Sequence, residues 1–204
     1  MSTTHSGSRE HWEDVYRTGR ADEVSWFQRD PLVSLRLVAD VAGSVVDVGA
    51  GASVFADRLL KAGRADVTLL DLSPHALDVV RARLGPDASR VRFVTADVVG
   101  WEPGRTFDCW HDRAVFHFLT APGEQAAYVQ TAARVVATGG AVVMGTFASD
   151  GPTRCSGLPT ARYEPADLAG LFSEAFTLEH AEHETHRTPR QVEQRFTWVV
   201  LRRG

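Results

Sequence analysis

The sequence predicts an α/β fold: a mostly parallel seven-stranded sheet with helices on both faces and a C-terminal antiparallel hairpin. Three observations carry that prediction. From Val45 onward, short apolar runs alternate with segments of helical periodicity, the pattern of parallel strands joined by crossover helices. The first run leads directly into Gly49-Ala50-Gly51, which turns the chain from strand to helix. The last two strand-like runs are joined by too few residues for a crossover helix, so they pair antiparallel.

Val45-Val46-Asp47-Val48 reads as a buried strand, and Val54 to Ala62 as the helix that follows it, ended by Gly63. Val67 to Leu70 is the second strand and reaches Asp71. Ser73-Pro74 opens the next helix with a cap and a proline at its first position, and Gly85-Pro86 closes it. A third strand, Val91 to Val94, runs to Asp97, and a fourth covers Phe107 to Trp110. Gly123 to Ala137 is helical, and Ala141 to Phe147 is the fifth strand after the Gly139-Gly140 turn. In the tail, Pro165 to Ser173 reads as a helix, and Phe176 to Thr185 and Arg195 to Arg202 as the hairpin strands. Ahead of the sheet, Arg9 to Tyr16 and Pro31 to Ala42 read as helices on either side of the aromatic linker Val24-Ser25-Trp26-Phe27. The domain reading is therefore an N-terminal helical lid or extension over 1–42 and one α/β domain over 43–204.

Composition narrows the function. The chain has 204 residues, 44% hydrophobic and 24% charged, enough to bury a core without staples. Its 22 basic residues are scattered among 26 acidic ones for a net charge of -4, with no stripe to neutralise phosphates, so nucleic acid is not an expected partner. Cys109 and Cys155 are the only cysteines, which excludes a disulfide framework and suits a reducing compartment. The polar stretch Met1 to His11 holds no signal core, and no apolar run approaches the ~20 residues that span a bilayer. A cytoplasmic chain with no membrane contact, monomeric or homodimeric, is expected.

The chemistry begins at the glycine turn. Without a Cβ, glycine lets backbone N–H groups and a helix N-terminus approach a ligand closely. Asp71 lies 20 residues beyond Gly51 at the end of the second strand, where a carboxylate can bind both ribose hydroxyls. Strand, glycine turn, helix and acid together point to a cofactor containing a nucleoside. A nicotinamide dinucleotide uses the same crevice, but its fingerprint places a third glycine where Val54 stands. Each residue also has a purely structural reading: a tight turn for the glycines, a helix cap for Asp71, a turn residue for Asp97.

With Asp97 closing the third strand, Gly139-Gly140 before the fifth and the antiparallel tail, the arrangement resembles the class I S-adenosylmethionine-dependent methyltransferases, whose fold is Rossmann-like. The resemblance implies S-adenosylmethionine as cofactor and S-adenosylhomocysteine as product. It places Asp47, Gly49 and Gly51 at the methionine and ribose portions, Asp71 on the ribose and Asp97 on the adenine amino group. Leu72 and Val98 would pack on the adenine. The commonest family turn ends in a third glycine where this chain has Ser53, a form shared with some methyltransferases of protein lysines. Serine gives up backbone freedom there but can cap the helix through its hydroxyl.

Acceptor residues are expected just beyond the fourth strand, because ligands of open α/β sheets sit outside the strand C-termini. The run Phe107 to His117 there is unusually polar, and its Asp112-Arg113-Ala114 resembles the thiopurine S-methyltransferase group, in which an Asp-Arg pair lies between cofactor and acceptor. His11-Trp12-Glu13, Trp26-Phe27 and Pro31-Leu32 look like the tryptophan-containing lid of thiopurine, thiol and halide methyltransferases; the protein-lysine methyltransferase group begins with a comparable helix. His111 and His117 are candidate proton acceptors. Arg113 is a candidate for holding an anionic acceptor or orienting a thiolate, against an ion pair with Asp112 or Glu124. Trp26 and Phe27 are candidates for an aromatic cover over the sulfonium, against a hydrophobic staple. Arg154, Cys155 and Ser156, in the loop after the fifth strand, stand in a second tier. His180, His183 and His186 invite a metal reading, but on a strand His183 faces away from the other two, so no metal is expected.

The expected function is methyl transfer from S-adenosylmethionine to a small acceptor, a thiol or other soft nucleophile preferred. The alternatives are a protein-lysine methyltransferase and a non-catalytic module that binds the cofactor.

Overall fold

The computed structural model describes residues 7–204; the start of the expected extension, Met1 to Ser6, lies outside the described residues. Seven strands form one sheet in the order β3-β2-β1-β4-β5-β9-β8. The parallel part comprises β1 (Val45–Val48), β2 (Val67–Asp71), β3 (Val91–Thr95), β4 (Phe107–Arg113) and β5 (Val136–Phe147). The long strands β8 (Phe176–Arg187) and β9 (Glu193–Arg203) form the terminal hairpin, with β9 antiparallel to β5.

Alternate strand residues feed two cores. On one face Val45, Leu69 and Cys109 meet α2 (Leu32–Ala39), α3 (Phe55–Lys61) and α4 (Pro74–Leu84); on the other Val46, Leu70 and Trp110 meet α5 (Pro122–Val135) and α6 (Pro165–Phe172). Burial on both faces explains why the parallel strands read as unbroken apolar runs. Local signals set the helix ends. Ser73 accepts a hydrogen bond from the Ala76 amide at 3.1 Å, Pro74 opens α4, and Gly85 at φ +54° closes it.

The helix α1 (Arg9–Thr18) lies on the start of α4 at the carboxyl end of the sheet. Its Trp12 and Tyr16, four residues apart on one face, pack with Ala52, Ala76 and Trp26. Three departures from the sequence expectations bear on function. Strand β4 continues past Trp110 to Arg113, because β1 and β5 flank it and supply pairing as far as Arg113 opposite Gly145. His111 and Asp112 therefore sit inside the sheet and point to opposite faces. The stretch 154–159, expected as a loop, contains the short hairpin β6 (Arg154–Cys155) and β7 (Leu158–Pro159). Gly85-Pro86, expected only to stop a helix, opens a 3-10 turn that runs to Arg90.

Candidate active site

The carboxyl ends of β1, β2 and β4 and the segments after β3 and β4 enclose a crevice of about 800 Å³, open space at its mouth included. Gly49, Asp71 and Leu72 line it from the first two strands, Asp97 and Val98 from the turn after β3, and Arg113, Ala114 and Val115 from the end of β4. Trp12, Tyr16 and Trp26 line it from the N-terminal segment. A second cavity, about 530 Å³, lies beside it and is lined by Asp47, Ser53, Phe55, His111 and Ser34. Tyr16, Trp26, Gly49 and Arg113 border both.

The glycine turn is required by backbone and packing together. Gly49 has φ +60° and a Cβ there would stand 2.0 Å from Val115 Cγ2; Gly51 has φ +53° and a Cβ there would stand 2.2 Å from the Tyr16 hydroxyl. Both lie in the left-handed region, where a side chain costs about 1 kcal/mol or more before any clash. Ser53 is not among the positive-φ residues, so no glycine is needed at that position, and its hydroxyl accepts from the Phe55 amide at 3.1 Å. Gly51→Ala is expected to lower the melting temperature and displace Tyr16, with loss of cofactor binding; thermal denaturation and calorimetric titration check it.

Asp71 is held for acceptance from both sides. Its Oδ2 takes the Gly51 amide at 2.7 Å and its Oδ1 the Ser73 amide at 2.8 Å, which leaves further lone pairs on each oxygen for a diol. Burial pushes the carboxyl up to about 6. Asp97 accepts the Val99 amide at 2.9 Å across a tight turn that sets Val98 against the crevice. Two left-handed glycines, an acid with oriented oxygens and apolar Leu72 and Val98 make a cradle that fits a nucleoside.

Arg113 is the unusual group. Its Nη1 donates to the Trp26 carbonyl at 2.8 Å and its guanidinium lies 4.8 Å from the Phe196 ring centre, while Nε and Nη2 are buried without a protein partner. Burial draws it down to about 10, so it stays charged at neutral pH. Two orphaned N–H groups on a fork geometry are what a bidentate anion satisfies. Directly after it, Ala114 takes φ +72°, a conformation costing about 1–2 kcal/mol for a residue other than glycine, and so turns Val115 and Phe118 over the crevice.

The other strand-four candidates are placed differently. His111 is buried, its Nδ1 2.7 Å from Asp47 Oδ1 and its Nε2 2.9 Å from Ser34 Oγ, so it bridges β1, β4 and α2 beside the second cavity. Asp112 faces the opposite core, where it accepts from the Tyr128 hydroxyl at 2.5 Å and from the amides of Val115 and Phe116. It braces the turn that carries Val115 and does not line the crevice.

His117 is also outside the crevice, stacked on Phe147 at 4.2 Å with neither ring nitrogen hydrogen-bonded. Burial holds it down to about 3. Neutral in the fold and ordinarily titrating near 6.5, it contributes stability present above pH 6.5 and lost as pH falls toward 3. His117→Phe is therefore expected to keep turnover and to melt higher than the parent by a margin that widens from pH 7 to pH 4, as read by thermal denaturation.

Away from the crevice, Arg154 donates to the Gly157 carbonyl, and Cys155 lies 3.7 Å from the Ser25 hydroxyl with its thiol raised by burial. The three histidines of β8 part company. His180 pairs with Glu182, His183 approaches Glu164 and Thr197, and His186 donates to the Ser25 carbonyl at 2.8 Å. Glu184 accepts from Gln28 and Trp198, so β8 also holds the aromatic linker. Among the described residues no three His, Cys, Asp or Glu side chains are grouped as a metal site, and no helix is long and apolar enough to cross a membrane.

Tyr16, Ser34 and Phe118 also line the two cavities, and none of them lies in a motif of its own. The Trp12-x-x-x-Tyr16 spacing was the available signal for the first; the other two are brought in by packing alone.

Residues 45–140 match the family model described as a methyltransferase domain, and with the sheet order and crevice this defines the class: a class I S-adenosylmethionine-dependent methyltransferase domain, with S-adenosylmethionine as methyl donor. Among particular proteins, the chain is similar to the EEF1A lysine methyltransferase 2 of Mus musculus, 26% identical over 84% of this chain and 72% of that one. Its fold is that of a 1,6-didemethyltoxoflavin-N1-methyltransferase from Burkholderia thailandensis, solved with 1,6-didemethyltoxoflavin and S-adenosylhomocysteine (24% identity, TM-score 0.74, 96% of this chain and 86% of that one). A structure solved for the conversion of a disulfide bond into a thioacetal group during echinomycin biosynthesis is equally similar (24% identity, TM-score 0.75, 96% and 92% covered).

Proposed function

We propose that this methyltransferase acts on a small nucleophilic acceptor, a thiol or other soft nucleophile in preference to an amine. The observation that carries the reading is Arg113, a charged guanidinium with two unpartnered N–H groups where the two cavities meet. A fixed cation there favours the thiolate form of an acceptor and opposes an ammonium. When bound, S-adenosylmethionine supplies an electrophilic methyl group on its sulfonium. Asp71 would hold the ribose, Asp97, Leu72 and Val98 the adenine, and the Gly49–Gly51 turn the sulfonium end beside Asp47. Trp12, Tyr16 and Trp26, in the N-terminal segment proposed as a lid, would exclude water. Arg113 would hold the acceptor in line, and a thiolate needs no side chain to take its proton, which has already gone to solvent.

A lysine acceptor is the second reading, favoured by the mouse relative and by Ser53 in the glycine turn. Incubation of the purified chain and S-adenosylmethionine with matched small thiols and amines separates the two. Methylthioethers are the expected products, and faster amine than thiol methylation would overturn the preference.

A further inference from the structure

Glu13 does not line the crevice, yet it faces α4 and ties α1 to the Asp71 end of the site. Its Oε2 accepts from Ser73 Oγ at 2.6 Å and from the His75 amide at 3.4 Å, at the N-terminus of α4. The contact is favourable twice over, as a charge-assisted hydrogen bond and as a carboxylate at a helix's positive end. Ser73 in turn donates its amide to Asp71, and Asp71 accepts the Gly51 amide. On the crevice side of the same helix, Trp12 and Tyr16 roof the crevice, the Tyr16 hydroxyl stands over Gly51, and the Tyr16 ring meets the Trp26 ring edge-on with centres 6.3 Å apart.

We propose that Glu13 is a positioning residue for the cofactor: its bond to Ser73 latches α1 shut over the crevice and sets how fast S-adenosylmethionine enters and S-adenosylhomocysteine leaves. The latch is chemically separate from acceptor choice, because Glu13 touches neither Arg113 nor the second cavity. Glu13→Ala removes both bonds, and Glu13→Gln keeps an acceptor oxygen for Ser73 while removing the charge.

Stopped-flow release of S-adenosylhomocysteine, followed by tryptophan fluorescence, reads the rate, and hydrogen exchange of the free protein reads the latch itself. Release about tenfold faster in Glu13→Ala and a few-fold faster in Glu13→Gln is expected, with a raised KM for S-adenosylmethionine and an undiminished kcat. Exchange should quicken in 9–18 and remain as in the parent within the sheet. Unchanged release in both variants would overturn the proposal. So would exchange that rises across the whole sheet, which marks Glu13 as a general stabiliser. Failure of the parent to bind S-adenosylhomocysteine would contradict the cofactor assignment, and the latch with it.

Discussion

Replacing Arg113 by methionine is expected to cut kcat/KM for the acceptor by about a hundredfold or more while changing the affinity for S-adenosylhomocysteine by less than about threefold. Methionine retains an apolar stem against Phe196 and removes the guanidinium. The proposed acceptor contact that this removes is a bidentate charge-assisted one in a buried site, where such contacts are worth about 3 kcal/mol. The folded chain itself should lose little, since two of the deleted N–H groups have no protein partner. Calorimetric titration with S-adenosylhomocysteine and steady-state kinetics separate the terms. A variant that stops binding cofactor would move Arg113 from the acceptor to the methionine carboxylate.

Replacing Asp71 by alanine has the opposite signature. On the proposed ribose-binding role two hydrogen bonds to the cofactor go, and the Gly51 and Ser73 amides lose their acceptor, so cofactor affinity is expected to fall by about a hundredfold, roughly 3 kcal/mol. The same carboxyl supplies a pH test. Burial raises it to about 6, so in the parent the ionised acceptor is present above pH 6 and is lost as pH falls below it. Affinity for S-adenosylhomocysteine should weaken progressively between pH 7 and pH 5 in the parent and far less in Asp71→Asn. A flat parent profile would show that Asp71 does not face the ligand as a carboxylate.

Much of the crevice was legible because its signals are local. A glycine forced to positive φ, a serine cap before a proline and an acid ending an apolar run each act within a few residues; Gly49, Asp71 and Asp97 line the crevice, and Gly51 takes the positive φ that its turn requires. The acceptor side was harder to read because it depends on partners distant in sequence. His111 looked like a base until Asp47, 64 positions away, and Ser34, 77 away, occupied both of its nitrogens. Asp112, placed by resemblance between cofactor and acceptor, and His117, a candidate proton acceptor, both leave the crevice: a strand extended by pairing on both sides carries Asp112 into the core, and the turn after it stacks His117 on Phe147. Nothing within the β8 sequence shows that Glu184 and His186 reach the linker at Gln28 and Ser25.

The most direct measurement incubates the purified chain with S-adenosylmethionine labelled in its methyl group and a cell lysate separated into protein and small-molecule fractions. Label in the small-molecule fraction, released as a volatile or extractable thioether and abolished by Arg113→Met, is the expected result. Label confined to protein lysines, or transfer that survives loss of Arg113, would contradict a small soft nucleophile as the acceptor.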